Sequence, residues 1–413
     1  MKGVFGGLFD NWTSNLFFLI LGCILTDLVD RYKKRRAKRR QYSALAKSLD
    51  RIRNTEEKLG VNTLGVGSWR LNEEIHVSDT GRKFFVSFPT THLPALAARY
   101  HAEGKRLAEC FELHDDQFLD GSNDSEIIAA ESEIPDIAAL LEQFREEVAH
   151  DFVYGRNGCY FNHDKYGVYS LRTLLRPGRH EDPHLTLHLY TTDYFTHKVM
   201  RRVYRELKRR GHPISEADDQ EDLQRYRHFT TSLGLNAVMI LSNEEEGSAF
   251  VLTRRSKVAS ETDGKKLYHV TMNEGLSALD YDPDERRVSF KRWLERGLYE
   301  ELNLNSDWTH AHLKASSFDD VFLVRGLFEI GIVATIAAEG TTVDELWSRA
   351  RFAKDRKLEV DGLECVPCAR QDLAAFFDRH EMVPHGRYAV ARVAARAGFM
   401  VGESWWVNKP REA

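Results

Sequence analysis

The residues best suited to chemistry lie on one predicted helix. In residues 288–304 (VSFKRWLERGLYEELNL), Phe290, Leu294, Leu298 and Leu302 recur every fourth position and make a single buried stripe. Arg296, Glu300 and Glu301 fall on other sides of that helix. Adjacent carboxylates can hold a hard divalent cation through oxygen ligands, and a bound Mg²⁺ would in turn attract a diphosphate. Glu300 and Glu301 are therefore the candidate metal ligands and catalytic carboxylates. The alternative is that both are ordinary exposed helix residues.

A second set of candidates is cationic. In residues 191–211 (TTDYFTHKVMRRVYRELKRRG), Thr192 or Asp193 can cap a helix, Phe195, Val199, Val203 and Leu207 form its apolar stripe, and Gly211 ends it. Its other faces carry Lys198, Arg201, Arg202, Arg205, Lys208, Arg209 and Arg210. Such a surface suits a nucleotide phosphate, a partner's acidic face, or water and nearby carboxylates. Just upstream, residues 180–184 (HEDPH) fit the HExxH zinc-protease pattern, but that pattern needs both histidines on one side of a helix. Pro183 interrupts it, and Leu185, Leu187 and Leu189 then alternate as a strand does. A zinc protease is excluded. The alternation places His184, Thr186, His188 and Tyr190 on the opposite face, either toward solvent or on the wall of a polar pocket. His184 and His188 thus join Arg296, Lys198, Arg201, Arg202 and Arg205 as candidate ligand-binding residues.

The five cysteines, Cys23, Cys110, Cys159, Cys365 and Cys368, do not make a disulfide framework, which suits a reducing compartment. Cys365 and Cys368 form one CxxC without a second, so no zinc site is expected.

Around these candidates the periodicities predict a mixed α/β chain. Helices are expected at 43–59, about 91–111 and 135–152, the last with Ile137, Leu140, Leu141, Phe144, Val148 and Phe152 on one stripe. Residues 112–133 hold eight Asp or Glu and no Lys or Arg, which reads as a solvated loop. From about Leu233 strands dominate. Residues 237–242 and 249–253 flank the turn NEEEG as a hairpin, residues 267–272 form a further apolar run, strands follow within 321–338 and at 359–366, and a helix lies near 387–398.

The whole chain has 413 residues and a net charge of −5. Its composition excludes disordered, collagen-like and disulfide-scaffold classes. Residues 31–40 (RYKKRRAKRR) carry eight of the 58 basic residues, leaving 50 against 63 acidic elsewhere, a net −13 that argues against general nucleic-acid binding. The basic block follows an apolar run in residues 12–29 (WTSNLFFLILGCILTDLV), just long enough to span a bilayer if Asn15 and Asp27 sit at the interfaces. A cleaved signal would carry its charges first. The positive-inside rule then places the N-terminus outside and the remainder in the cytoplasm, with the block against anionic headgroups. The other reading is an amphipathic or buried helix followed by a solvated charge run.

Arg296, Leu298, Glu300, Glu301 and Leu304 resemble the second half of the Nudix box, R-E-hydrophobic-x-E-E-x-G-hydrophobic. The resemblance implies an α/β/α sandwich over residues 231–400, with Glu300 and Glu301 as Mg²⁺ ligands oriented by Arg296. The chain departs from the pattern at Gly297, where the family has Glu, at Asn303, where it has Gly, and in the longer spacing from Gly275 to Arg296. Glu274, Glu285 and Glu295 are the carboxylates at hand to replace the missing one.

With its apolar segment, basic stop and TDYFT-containing middle region, the chain resembles the transmembrane Nudix effectors of bacterial cyclic-oligonucleotide-based antiphage signalling (CBASS), though with one span rather than two. This implies a membrane helix (1–30), a basic stop and stalk (31–60), a middle α/β region (61–230), a Nudix-like domain (231–400) and a tail (401–413). It also implies an inner-membrane homo-oligomer whose partners are lipid and a cyclic nucleotide second messenger. In that reading the Nudix-like domain senses the nucleotide and drives membrane disruption. The alternative is a membrane-tethered, Mg²⁺-dependent Nudix hydrolase of a nucleoside diphosphate derivative. A third reading is a membrane-bound scaffold for protein.

Overall fold

The computed structural model describes residues 56–398, apart from 57, 70–73, 105–123, 160, 175–183, 244–246, 257–266, 314–315 and 355–359. The expected membrane helix, the basic stop, most of the stalk and the tail lie outside the described residues, as do His180 to Pro183. Among the described residues no helix is long and apolar enough to cross a membrane. The described residues from Glu56 onward form one compact unit.

The larger of two main sheets has eight strands. In spatial order they are β1 (Val61–Trp69), β11 (Ser317–Val324), β12 (Glu329–Glu339), β5 (Leu233–Asn243), β6 (Gly247–Arg255) and β13 (Val360–Pro367), with β7 (Tyr268–His269) on β6 and β8 (Met272–Gly275) on β5. All neighbours are antiparallel except the central pair, where β12 runs parallel to β5 from Ile330 opposite Leu233 to Glu339 opposite Ser242. Both central strands are buried along most of their length. They can be, because a helix covers each face. On one side α6 (Phe290–Leu302) buries Phe290, Trp293, Leu294, Leu298 and Leu302 in the cluster that holds Leu235, Ala237, Ile332 and Ala334. On the other, α10 (Pro384–Arg396) buries Tyr388, Ala389 and Val393 with Val238, Leu252, Phe322 and Val333. Alternate residues of one strand therefore feed two cores.

The smaller sheet has the order β2 (Ile75–Lys83), β4 (His184–Asp193), β3 (Asp164–Leu174), with β2 parallel and β3 antiparallel to β4. Leu185, Leu187 and Leu189 are fully buried while His184, Thr186 and His188 are half-buried, as the alternation predicts, but Tyr190, expected on the histidine face, is fully buried against Phe84 with its hydroxyl donating to Arg227 O. Helix α3 (Ile137–Tyr154) buries the predicted stripe at Ile137, Leu140, Leu141, Val148 and Phe152, with Phe144 partly covered. Helix α4 (Tyr194–Arg209) is the predicted basic helix. The Asp193 carboxylate caps it by accepting from Thr196 N at 2.7 Å, and Phe195, Val199, Val203 and Leu207 are buried.

Three local expectations differ from what forms. Part of the acidic stretch is helix α2 (Ser125–Ser132), because Ile128 is buried against the core and Glu131 is paired with Arg227 at 2.7 Å. The apolar run 267–272 is two strands rather than one, since the Thr271 hydroxyl accepts from Met239 N and donates to Val251 O, bridging β5 and β6 at the break. Strand β1 comes from the expected middle region yet pairs with β11, so the two regions share a sheet.

The alternation along β4 carries a quantitative expectation. Leu187→Ala, at a fully buried position, lowers stability by about 2–5 kcal/mol in urea unfolding, whereas Thr186→Ala next to it costs under about 1 kcal/mol.

Candidate functional site

Arg296 on α6 is the centre of a charged cluster at the sheet's end. Its guanidinium donates to both Asp280 carboxylate oxygens at 2.8 and 2.9 Å, to Glu300 Oε2 at 3.0 Å and to Gly275 O at 2.7 Å, and stands 3.0 Å from Glu274 Oε1. Local sequence explains how these groups arrive. Glu274 and Gly275 end β8, Glu300 is one helical turn beyond Arg296, and Ser277 and Asp280 close a reciprocal capping box around a single 3₁₀ turn (Ala278–Asp280). Burial raises the Asp280 and Glu274 carboxyls above their ordinary range, opposed by Arg296. Burial also works against the Arg296 charge, but Glu274, Asp280 and Glu300 outweigh it and hold the guanidinium protonated.

Glu300 and Glu301 do not share a face. Glu300 Oε2 accepts from Arg296, and Oε1 takes Lys354 Nζ at 2.8 Å. Glu301 is buried and turned toward the sheet, where Oε1 accepts from Asn273 N at 2.9 Å. Successive helix positions lie about 100° apart, and here that angle sends one carboxylate to Arg296 and the other to β8.

Two of the three departures from the Nudix pattern, Gly297 and Asn303, have local reasons. Asn303 ends α6 with φ of 54°, the left-handed conformation that Asn tolerates best after Gly. Gly297 lies under β8: a Cβ there would stand 2.7 Å from Met272 Sδ and 3.1 Å from Glu274 Cβ. The carboxylate nearest the missing one is Glu274, whereas Glu285 pairs with Arg287 and Glu295 with Lys291.

The basic helix meets the same neighbourhood through its first turns. His197 Nε2 faces Glu329 Oε1 at 3.0 Å, its Nδ1 meets the Thr231 hydroxyl at 2.9 Å, and Arg201 lies 3.7 Å from Glu329 Oε1. Burial, with Lys165 nearby, drops the His197 imidazole to about 3, so it is neutral and donates from Nε2. Glu329 opens β12 and is held ionised, against burial, by Arg201, His197 and Lys165. Lys165, at the start of β3, is 6% exposed, and its Nζ donates to Ser232 Oγ at 3.1 Å. Burial lowers its ammonium to about 8, with Glu329 and Glu274 acting in the opposite direction. Lys165 therefore feels carboxylates of both groups, and Arg201 and Arg296 belong to one charged region.

The other predicted residues are placed differently. Arg202 is engaged by Asp151 and by Glu147 at 2.8 Å, and Lys198 Nζ donates to Asn157 O at 3.3 Å and lies over the Tyr194 ring. Arg205 also has its partners within the protein. Arg209 and Arg210 both close on Glu206. His188 Nδ1 is 2.6 Å from Ser78 Oγ and the His184 ring packs 5.2 Å from that of His76, across strands of the smaller sheet. Among the described residues Asp218, Asp219 and Asp222 are the one group of three potential metal ligands close together. Asp218 and Asp219 are exposed and Asp222 is half-buried, and Asp219 and Asp222 already accept backbone N–H bonds. Cys365 and Cys368 are half-buried thiols that form no disulfide with each other.

Lys165, Asp280, His197 and Glu329 escape a reading of the sequence because each is a single residue at an element's edge. A local cue existed only for Asp280, three residues after the capping Ser277. No protein-family profile and no curated protein matches the chain. Among solved structures it is similar to DR0079 from Deinococcus radiodurans, at 15% identity and a TM-score of 0.27, over 39% of this chain and 83% of that one.

Two expectations follow from this geometry. Gly297→Glu, which restores the family's residue, destabilises the fold by about 1–3 kcal/mol from overpacking alone, read in denaturant unfolding. The second concerns Lys165, whose folded pKa of about 8 lies below its ordinary 10.5. Between those values the unfolded chain binds the extra proton, so stability rises with pH across that window. Lys165→Met, in phosphate-free buffer, therefore melts above the wild type below pH 8, and the difference shrinks toward pH 10.5.

Proposed function

We propose that this chain is a membrane-tethered sensor whose Nudix-like body binds a nucleotide signal without hydrolysing it, in the manner of the CBASS effectors it resembles. One observation carries the preference for sensor over hydrolase: both Glu300 oxygens are taken by Arg296 and Lys354 while Glu301 faces Asn273 N. The carboxylates that would hold Mg²⁺ thus serve the body's own cations and backbone. The layered arrangement, a mixed sheet with α6 on one face and α10 on the other, agrees with the α/β/α sandwich that the box implies.

In this reading the ligand sits where α4, the start of β12 and the Arg296 cluster approach one another, and its binding promotes oligomerisation. Gathering many copies would bring together N-terminal segments carrying Asn15, Gly22 and Asp27. Polar groups in lipid seek partners, so a segment inert alone perturbs the bilayer when assembled. Mg²⁺-dependent hydrolysis of a nucleoside diphosphate derivative is the competing reading, favoured by the close Arg296–Glu300 pair that a box arginine would make.

The test uses the full chain in detergent micelles. Cyclic oligonucleotides raise its oligomeric state in sedimentation, and the double variant Glu300→Gln with Glu301→Gln, less stable but compared at a temperature where its circular dichroism matches the wild type, still assembles with them. Turnover of a nucleotide by the wild type, lost in the double variant, transfers the assignment to the hydrolase. Absence of any binding or assembly ends the sensor reading.

A further inference from the structure

Lys165 is the least compensated charge in the site. It is 6% exposed, yet among the described residues its Nζ makes no ion pair at contact distance and one hydrogen bond, to Ser232 Oγ at 3.1 Å, with the Tyr194 ring 5.5 Å away. An ammonium withdrawn from water with two of its three N–H groups unsatisfied is costly unless something anionic completes it. Arg296 shows the contrast, with Glu274, Asp280 and Glu300 all within contact.

Two further polar atoms beside Lys165 lack hydrogen-bond partners although buried: Arg201 Nε and His163 Nδ1. His163 stacks on Tyr194 at 5.6 Å, on the ring that Lys165 and Lys198 also approach. On this side Lys165 and Arg201 both act on Glu329, and Glu274 acts on Lys165 from the Arg296 group without an ion pair at contact distance. Burial, with Lys165 adjacent, lowers the His163 imidazole to about 3, so it adds no charge and can donate or accept. The edge is open to solvent at Glu329 and Glu274, whose side chains are 19% and 23% exposed.

We propose that Lys165, with Arg201 and His163, seats a phosphate group of the anionic ligand. The inference rests on the sensor reading and names the group that the sensor grips. Three donor atoms of different types, from the start of β3 and from α4, suit a group with several oxygens in a tetrahedron better than a planar carboxylate. Buried lysines with displaced ionisation gather at functional sites for this reason. The seat uses none of Glu300's contacts, which are to Arg296 and Lys354, and needs no metal ion.

The probe is inorganic phosphate, added to the full chain in detergent micelles and followed by ³¹P line width and thermal shift, with acetate in parallel. Phosphate raises the melting temperature of the wild type. Lys165→Met weakens phosphate binding about tenfold or more, the effect of losing a charged hydrogen-bond donor, and Lys165→Arg keeps most of it. Equal phosphate binding by Lys165→Met and wild type, or acetate matching phosphate, overturns the proposal. Should Lys165→Met not fold, ¹³C-lysine-labelled wild type gives the same reading: phosphate shifts the Lys165 Cε resonance and raises its titration midpoint, and an unmoved resonance overturns it. Phosphate bound through Lys165 with no assembly by cyclic oligonucleotides leaves the seat standing and removes the sensor reading. Assembly intact in Lys165→Met does the reverse.

Discussion

A guanidinium that has left water must be answered from several directions, and at Arg296 this requirement organises the sheet's end. Asp280 takes two of its donors, Glu300 and Gly275 O take others, and Glu274 closes the ring. Removing one partner of a buried pair commonly costs about 3–5 kcal/mol, because the survivor is left charged in a poor solvent. Helix α6, the end of β8 and the capped turn at Ser277 are thus held in one arrangement. The same arrangement engages Glu300 with Arg296 and with Lys354.

Lys165 and Glu329 stand a short way off and are organised differently. Glu329 is approached by His197 and Arg201 from α4, whereas Lys165 has a hydroxyl and an aromatic ring. One half of the cluster is complete in itself and the other is held short of completion.

Much of the fold was legible because burial imposes a period. The every-fourth-residue stripes of α4 and α6 and the alternation of Leu185, Leu187 and Leu189 in β4 are direct imprints of a one-sided core, and each formed as read. Pro183 and that alternation disposed of the zinc-protease pattern for the same reason. The acidic stretch hid helix α2 because its apolar face is little more than Ile128. The single run at 267–272 hid a break that depends on the Thr271 hydroxyl bridging two other strands.

The sequence by itself determined the α/β character, the basic helix, the Arg296 and Glu300 pair on one helix, and the contrast between an acidic body and a basic block at residues 31–40. Only the tertiary structure decided what those charges meet. It turned Glu301 into the sheet, gave Arg202 to Asp151 and Glu147, and brought Lys165, Glu329, Glu274 and Asp280 to Arg201 and Arg296. Periodicity records which face of an element is dry, so it is written locally. The partner of a charge is chosen by strands and helices far apart in the chain, at single positions that repeat nothing.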